Sequence, residues 1–257
     1  MSQKFLTSDS SNNPNLASEA LRLEVVITSV GFDDLLNITL GLNIGQFDTV
    51  IVVTSHEDKK TQAVAKKYGA ICVQTDLFNK NGRSFNKGAA INAGFGRFQY
   101  HGWRCHMDSD IVLPNSFRRM LFNHTHLDKD CLYGMDRVDV VGLDSLKDLN
   151  EKLDTNPQSI WGFLIDPAHQ KQLGARYVDT LRGYCPLGFF QLWNAKCQHA
   201  YPFSLGTAEH DDILFCDGWP SSQRRLLPSV VGYHLVPENG NKWSINWEGR
   251  KSPRIDK

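Results

Sequence analysis

The sequence lacks an excess of either charge, long apolar runs and paired cysteines. Its 28 Lys and Arg residues balance its 28 Asp and Glu residues, which argues against a chain that coats nucleic acid or an anionic membrane through its overall field. No apolar run approaches the roughly 20 residues that span a bilayer. The six cysteines include no CxxC pair, so neither a zinc ribbon nor a disulfide scaffold is indicated. With 41% hydrophobic and 22% charged residues, the composition is that of an ordinary globular protein.

The domain organisation is suggested by the length and by the polar start of the chain. Residues 1–20 are rich in Ser and Asn and contain no apolar stretch of the kind that a secretory signal needs. We therefore expect a flexible polar arm over 1–20 and a cytoplasmic location with reduced thiols. The 257 residues allow one domain or two. Because no internal repeat or clean linker is visible, we expect a single domain over 21–257.

Buried-strand patterns alternate with helical patterns in the first half of the chain. Such alternation is typical of βαβ units, and it predicts an α/β fold with a mainly parallel sheet flanked by helices. In these sheets, ligands bind outside the carboxyl ends of the strands. After about residue 130 the pattern weakens, and only strands at 188–193 and 228–236 and a helix at 144–152 are predicted. In the first half, the predicted order is strand 23–30, helix 33–42, strand 48–54, helix 56–68, strand 70–74, helix 86–94 and strand 104–107.

The most informative motif is Asp108-Ser109-Asp110, directly after the fourth predicted strand. Side chains at i and i+2 leave a strand on the same face, so the two carboxylates are expected to project together. Two adjacent buried carboxylates repel each other, and a divalent cation such as Mg²⁺ or Mn²⁺ removes that penalty. A solvated turn is the alternative for the tripeptide alone. Its position after an inner strand favours the metal site.

A strand that ends in Asp-x-Asp after two βα units and a short helix resembles the family 2-like glycosyltransferases with the GT-A fold. The resemblance covers residues 24–122 well and the later part more loosely. It implies a nucleotide-sugar half over 21–122, and an acceptor half with a C-terminal lid over 123–257. It also implies that Asp110 is the direct ligand of Mn²⁺ or Mg²⁺ and that Asp108 contacts the ribose and a metal-bound water.

Further donor-binding residues are implied by the same resemblance. Lys87 lies on the helix before the Asp-x-Asp strand and is expected to approach the donor phosphates or base, with Asn92 near the sugar or packed around the metal. Arg250 and Lys251 are expected to close over the diphosphate and exclude water, the alternative being an exposed basic tail. The other expected donor contacts are Thr28, Ser29, Phe32, Ser55, Asp76 and Ser109.

Two later motifs complete the expected site. The run Glu209-His210-Asp211-Asp212 resembles the acidic motif near the acceptor site of inverting enzymes with this fold. An inverting transfer needs a carboxylate to accept the acceptor's proton, and Asp211 is the first candidate, followed by Asp212 and Glu209. The alternative is a helix start whose acids complement the macrodipole. The resemblance also implies that His234 is a further metal ligand, the alternative being a structural histidine.

The sequence thus predicts a metal-dependent glycosyltransferase that moves a hexose from a nucleotide-sugar, a UDP-sugar, to an acceptor hydroxyl with inversion. A sugar-phosphate nucleotidyltransferase would need a glycine-rich basic loop after the first strand, which the segment 28–34 does not supply. A non-catalytic module that binds nucleotide-sugars or carbohydrates is the other alternative. The acceptor stays open among a glycan, a protein, a small molecule and a modified nucleic-acid base, and so does the oligomeric state.

Overall fold

The computed structural model describes residues 21–82, 85–123, 126–147, 177–179, 181–203, 208–237 and 249–255. The expected polar arm and much of the predicted helix at 144–152 lie outside these residues. The strands are β1 (Leu23–Thr28), β2 (Thr49–Thr54), β3 (Ile71–Gln74), β4 (Trp103–Asp108), β5 (Ile111–Val112), β6 (Leu132–Val141), β7 (Tyr177–Asp179), β8 (Gly183–Cys185), β9 (Phe190–Asn194) and β10 (Arg224–Val236). The helices are α1 (Asp33–Asn43), α2 (Lys59–Lys67), α3 (Lys87–Phe95), α4 (Phe117–Asn123) and α5 (Ala208–Cys216).

Eight of these strands form one mixed sheet in the order β3-β2-β1-β4-β9-β6-β10-β5. The first four strands are mutually parallel, as the βα pattern predicts. Strand β9 runs antiparallel to both of its neighbours, β4 and β6, whereas β10 runs parallel to β6. The expected α/β class with a mainly parallel sheet is confirmed. Strands β7 and β8 form a separate antiparallel pair.

Alternating side chains of β1 face two different hydrophobic clusters. Val25 and Ile27 pack with Leu36 and Leu40 of α1, whereas Val26 packs with α3 and α5 on the other side. This alternation is the period-two geometry of a strand that is buried on both faces. The sheet is therefore covered on both faces, and the polar residues Thr28, Thr54 and Asp108 end β1, β2 and β4.

Helix α3 lies unusually close to the sheet because of a glycine. A Cβ atom on Gly94 would lie 2.7 Å from Val26 Cγ1 and 2.9 Å from Val53 Cγ2, so only glycine allows this approach. The helix begins after Asn86, whose side-chain oxygen accepts a hydrogen bond from Ala89 N. The close packing and the cap together set Lys87 at the start of α3, beside the end of β4.

Strand β10 begins at Arg224, before the predicted boundary at 228. Its register against β6 shifts between Leu226 and Val231, and Pro228 lies inside that interval. Proline has no N–H to give to a ladder, and it is tolerated in strands mainly at such irregularities. None of the six cysteines, all of which the structure describes, forms a disulfide. No helix among the described residues is both long and apolar enough to cross a membrane.

Candidate active site

The two carboxylates of the Asp-x-Asp motif reach the carboxyl edge of the sheet and contact different partners there. Asp108 ends β4, and its Oδ1 lies 2.8 Å from Lys87 Nζ. Asp110 follows in the turn to β5, and its Oδ2 lies 3.3 Å from His234 Nε2. The first aspartate of the motif therefore pairs with a lysine from the first half of the chain, and the second pairs with a histidine from the second half.

Lys87 forms a buried ion cluster with carboxylates from both halves of the chain. Its ammonium lies 2.8 Å from Asp108 Oδ1 and 3.5 Å from Asp212 Oδ2. Burial alone would lower the pKa of Lys87, but the charges of Asp108 and Asp212 raise it well above its usual value. Lys87 is therefore a permanent cation between the end of β4 and helix α5.

Asp212 is a buried carboxylic acid whose ionisation is disfavoured. Burial, together with the charges of Asp108 and Asp211, raises its pKa to about 7, despite the opposing charge of Lys87. Its Oδ1 is buried and has no hydrogen-bond partner among the described residues. The carboxylate packs directly on Gly188, where a Cβ atom would lie 2.0 Å from it. This carboxyl group is thus able to exchange a proton near neutral pH.

Asp211 is tied to the backbone of α3. Its side chain is fully buried, and its Oδ2 accepts a 2.9 Å hydrogen bond from Gly88 N, one of the amides at the start of that helix. A Cβ atom on Gly88 would lie 3.2 Å from the same oxygen. Asp211 and Asp212 are therefore both brought to Lys87 and Gly88. The side chain of Glu209 lies outside the described part of the structure.

His234 is held between two aspartates. Its Nδ1 lies 2.8 Å from Asp139 Oδ1, and its Nε2 lies 3.3 Å from Asp110 Oδ2. Residue 234 pairs with Asp139 of β6 and with Ile111 of β5 in the sheet, which sets this arrangement. Burial lowers the pKa of His234, but the two carboxylates outweigh it and raise the pKa to about 9. Asp139 was not predicted from the sequence, since β6 itself was not.

The fit of a metal ion can be tested on this pair. Asp110 Oδ1 is buried and has no hydrogen-bond partner among the described residues, although the carboxyl pKa is lowered by His234 and Arg137 against the effect of burial. No three His, Cys, Asp or Glu side chains in the described ranges already converge on a point that could hold a metal. Asp110 and His234 fit a cation whose other ligands come from a bound substrate and from water, as is common for Mg²⁺.

A buried polar network connects β4, β9 and the backbone of Asp212, and it was not predicted from the sequence. Tyr201 OH lies 2.9 Å from His106 Nδ1 and donates a short hydrogen bond to Gln191 Oε1. Gln191 Nε2 in turn donates to the backbone oxygen of Asp212 at 3.2 Å. Asn92 exchanges two 2.9 Å hydrogen bonds with the backbone of Tyr201, so its amide serves packing. The one sequence feature that could have indicated this network is His106, which lies two residues before Asp108 and therefore on the same face of β4.

The other predicted donor contacts are spread around the ends of β1 to β4. Thr28, Ser29 and Ser109 are buried at strand ends, and the Ser109 carbonyl accepts a 2.7 Å hydrogen bond from Thr39 Oγ1. The hydroxyl of Ser55 accepts from Asp58 N at 3.3 Å.

Two of the remaining donor candidates, Asp76 and Arg250, pair with residues outside the ion cluster of Lys87, Asp108 and Asp212. Asp76 is exposed and pairs with Lys80, and Lys251 is exposed as well. Arg250 forms its ion pair with Asp34, not with the carboxylates of the Asp-x-Asp motif or of α5, and its guanidinium lies over the ring of Phe32.

Comparisons with known proteins define the fold. The chain is similar to the crystal structure of mannosyl-3-phosphoglycerate synthase from Rubrobacter xylanophilus, with a TM-score of 0.51 at 15% sequence identity, over 91% of this chain and 72% of that one. The chain thus has the GT-A fold of nucleotide-sugar glycosyltransferases that the sequence predicts.

Two further similar structures are of glucosyl-3-phosphoglycerate synthase from Mycobacterium tuberculosis. The complex with UDP has a TM-score of 0.49 at 14% identity, over 94% of this chain and 79% of that one. The complex with Mn²⁺, UDP-glucose and phosphoglyceric acid has a TM-score of 0.47 at 14% identity, over 84% and 70%. No protein-family model matches the chain, and no curated protein matches its sequence.

Proposed function

We propose that the protein is a metal-dependent glycosyltransferase that transfers a hexose from a UDP-sugar to an acceptor hydroxyl. The observation that carries this proposal is the meeting of the Asp-x-Asp carboxylates with His234 and Asp212 at one edge of a GT-A sheet. The acids of the first half suit a metal ion that in turn binds a diphosphate, and the carboxylates of α5 suit proton transfer.

Asp110 and His234 would hold the Mn²⁺ or Mg²⁺ ion. When bound, the ion supplies positive charge that stabilises the departing nucleoside diphosphate. Asp139 accepts from His234 Nδ1 and thereby keeps Nε2 directed at Asp110, a support that metal-binding histidines usually have. The partnerless Asp110 Oδ1 supports this assignment, because a buried carboxylate oxygen without a donor calls for a cation.

Lys87 would hold Asp108 in place beside the donor. The 2.8 Å contact fixes the Asp108 carboxylate from the side of α3, and the lysine adds a positive charge near the expected diphosphate. This supports Asp108 as the ribose and metal-water contact. The charge also offsets part of the repulsion among Asp108, Asp211 and Asp212.

The carboxylates of α5 would provide the base for an inverting transfer. Asp212 has the stronger support, because its pKa is raised to about 7 and its Oδ1 has no partner in the described part of the chain. Asp211, the first candidate from the sequence, already accepts a hydrogen bond from Gly88 N. Comparing Asp211→Asn with Asp212→Asn distinguishes the two. The base is the residue whose variant binds UDP normally but transfers no sugar.

The alternative functions predict different products. The protein would be incubated with a panel of UDP-hexoses, Mn²⁺ and candidate acceptors. Release of UDP with a glycosylated product supports the proposal. Binding of UDP without turnover supports a non-catalytic module, and release of pyrophosphate from a nucleoside triphosphate and a sugar phosphate supports a nucleotidyltransferase. Wild-type activity in Asp110→Ala would contradict the metal assignment, whereas Asp130→Asn, in an exposed ion pair with Lys196, is the matched control.

The acceptor panel follows from the sequence and from one comparison. It contains glycans, a protein mixture, small hydroxylated molecules and a nucleic acid with hydroxylated bases. Because the similar Rubrobacter structure is of a mannosyl-3-phosphoglycerate synthase, 3-phosphoglycerate is included as a small acceptor. Among the UDP-hexoses, UDP-mannose is tested first for the same reason.

A further inference from the structure

The end of the described chain is bound tightly to the start of helix α1. Arg250 forms a bidentate ion pair with Asp34, whose side chain is completely buried. Arg254 forms a second bidentate pair with Asp33, with both distances at 2.9 Å. The backbone N of Ile255 also donates to Asp34 Oδ2 at 2.8 Å. Residues 249–255, here named the clasp, are therefore joined to α1 by two bidentate ion pairs.

The clasp also holds the loop between β1 and α1. Arg250 Nη1 donates to the carbonyl of Gly31 at 2.9 Å, while Gly31 N donates to Asp58 Oδ2 at 2.7 Å. Gly31 has a φ of +76°, a conformation that side chains rarely adopt, so the loop depends on this glycine. Both peptide groups of Gly31 are thus fixed, one by the clasp and one by the residue that caps α2.

The guanidinium of Arg250 has no N–H left for a phosphate. Arginine carries five N–H groups. In this structure Nε donates to Ser252 O, Nη1 to Gly31 O and Asp34 Oδ1, and Nη2 to Asp34 Oδ2 and Pro253 O. A contact with a diphosphate would have to displace at least one of these five acceptors.

The same guanidinium lies over an aromatic ring of the loop. The Arg250 Cζ atom is 4.9 Å from the centroid of Phe32, within the range of a cation–π contact. Phe32 precedes α1 directly, and its carbonyl accepts from Leu36 N at 2.9 Å. The loop that carries Ser29 and Phe32 is consequently bounded by α1, by Asp58 and by the clasp.

We propose that Arg250 and Arg254 are positioning residues: they fix the loop 29–32 in the shape that receives the nucleoside of the donor and do not themselves contact its phosphates. This inference rests on the proposed function, since it assumes that a nucleotide binds at the end of β1. It replaces the expectation that Arg250 closes over the diphosphate. A loop held in its bound shape spares the ligand the entropy of ordering it.

The test compares ligands that differ only in their phosphates. Binding of uridine, UMP and UDP with Mn²⁺ is measured by calorimetry for the wild type and for Arg250→Lys. This substitution keeps the positive charge but cannot form the bidentate pair with Asp34. A positioning residue predicts the same loss for all three, at least about fivefold. A phosphate ligand predicts an unchanged affinity for uridine and a loss only for UMP and UDP. That second result, or unchanged affinity for all three, would overturn the proposal.

Hydrogen exchange tests the clasp without any nucleotide. In Arg250→Lys, the amides of Gly31 and Leu36 are expected to exchange about tenfold faster than in the wild type, because their surroundings open locally more often. Unchanged exchange would overturn the clasp. Arg118→Lys is the control, since Arg118 pairs through Nη2 with Asp48, beside Leu23 at the start of β1, and should alter neither measurement.

A substitute variant and a wider set of nucleotides cover the cases in which Arg250→Lys does not fold or the wild type does not bind uridine nucleotides. If Arg250→Lys does not fold, Arg254→Lys replaces it, because the pair of Arg254 with Asp33 is more exposed. If the wild type binds none of the three probes, nor the corresponding purine and cytosine nucleotides, the donor assignment fails and the nucleoside role fails with it. The exchange rates then still decide whether the clasp holds the loop.

Discussion

The carboxylate of Asp212 occupies the space that a side chain at Gly188 would need, since a Cβ atom there would lie 2.0 Å from the carboxylate atoms. Gly188→Ala must therefore displace Asp212 from its place beside Lys87. We expect kcat to fall about 100-fold, because small misplacements of a catalytic group have effects of that order. Affinity for UDP should change little. Steady-state kinetics and calorimetry measure the two quantities.

Gly45→Ala is the control for this substitution. A Cβ atom on Gly45 meets no other atom within 4 Å, so the variant should keep the wild-type rate. Equal kcat values for Gly188→Ala and the wild type would mean that Asp212 does not take part in the transfer.

Removing the charge of Lys87 should destabilise the fold. In Lys87→Met, the buried carboxylate of Asp212 and the half-buried carboxylate of Asp108 lose their cation, and breaking such a cluster costs about 3 kcal/mol of unfolding free energy. Urea denaturation at pH 7 measures the loss. Lys87→Met with Asp212→Asn should recover part of it, because one uncompensated charge is removed. Additive losses in the double variant would show that Lys87 and Asp212 are not coupled.

The Mn²⁺ requirement should depend on Asp139 as well as on its neighbours. Because Asp139 orients His234, we expect Asp139→Asn to raise the Mn²⁺ concentration for half-maximal activity about tenfold, with a similar kcat at saturation. His234→Ala should have the larger effect. Metal titrations of activity with a fixed UDP-sugar concentration measure both. If Asp139→Asn titrates like the wild type, the histidine needs no such support.

Acid should weaken the fold in part through Asp48. Burial raises the pKa of Asp48, but hydrogen bonds from Leu23 N, Arg22 and Arg118 outweigh it and hold the pKa below its ordinary value of 3.8. Because the folded pKa lies below the unfolded one, this stabilisation is present above pH 3.8 and is lost as the pH falls through the folded value. Asp48→Asn should therefore lose stability less steeply than the wild type below pH 4, in urea titrations at several pH values. Parallel curves for the two proteins would contradict this.

The first half of the fold could be predicted because its strands are continuous β-branched runs. Buried strands such as Thr49–Thr54 and the Asp-x-Asp motif after β4 are local signals, and their shared edge follows from parallel pairing. Strand β6 could not be predicted in the same way, since its sequence mixes Gly134, Asp136 and Asp139 with apolar residues. Its burial depends on β9 and β10, which lie far along the chain.

The residues of the candidate site could be selected from the sequence, but most of their contacts could not. Asp108, Asp110, Asp212 and His234 do meet at one edge, but which carboxylate takes which partner depends on the strand order. The network of His106, Tyr201 and Gln191 has no local pattern. The pairing of Arg250 with Asp34 joins residues from opposite ends of the domain, and no short-range spacing encodes it.

The position of β9 between β4 and β6 has a consequence for the order of folding. Strands β1, β2 and β3 pair through short βα units, whereas β4 meets β9 only when Trp103 reaches Asn194. Closing that longer loop loses more chain entropy, and such non-local pairing is slow. During synthesis, the first strands would therefore pair, with Asp108 at the end of β4, before α5 and β10 have been made. Strand β10 then joins the sheet and brings His234 to Asp110.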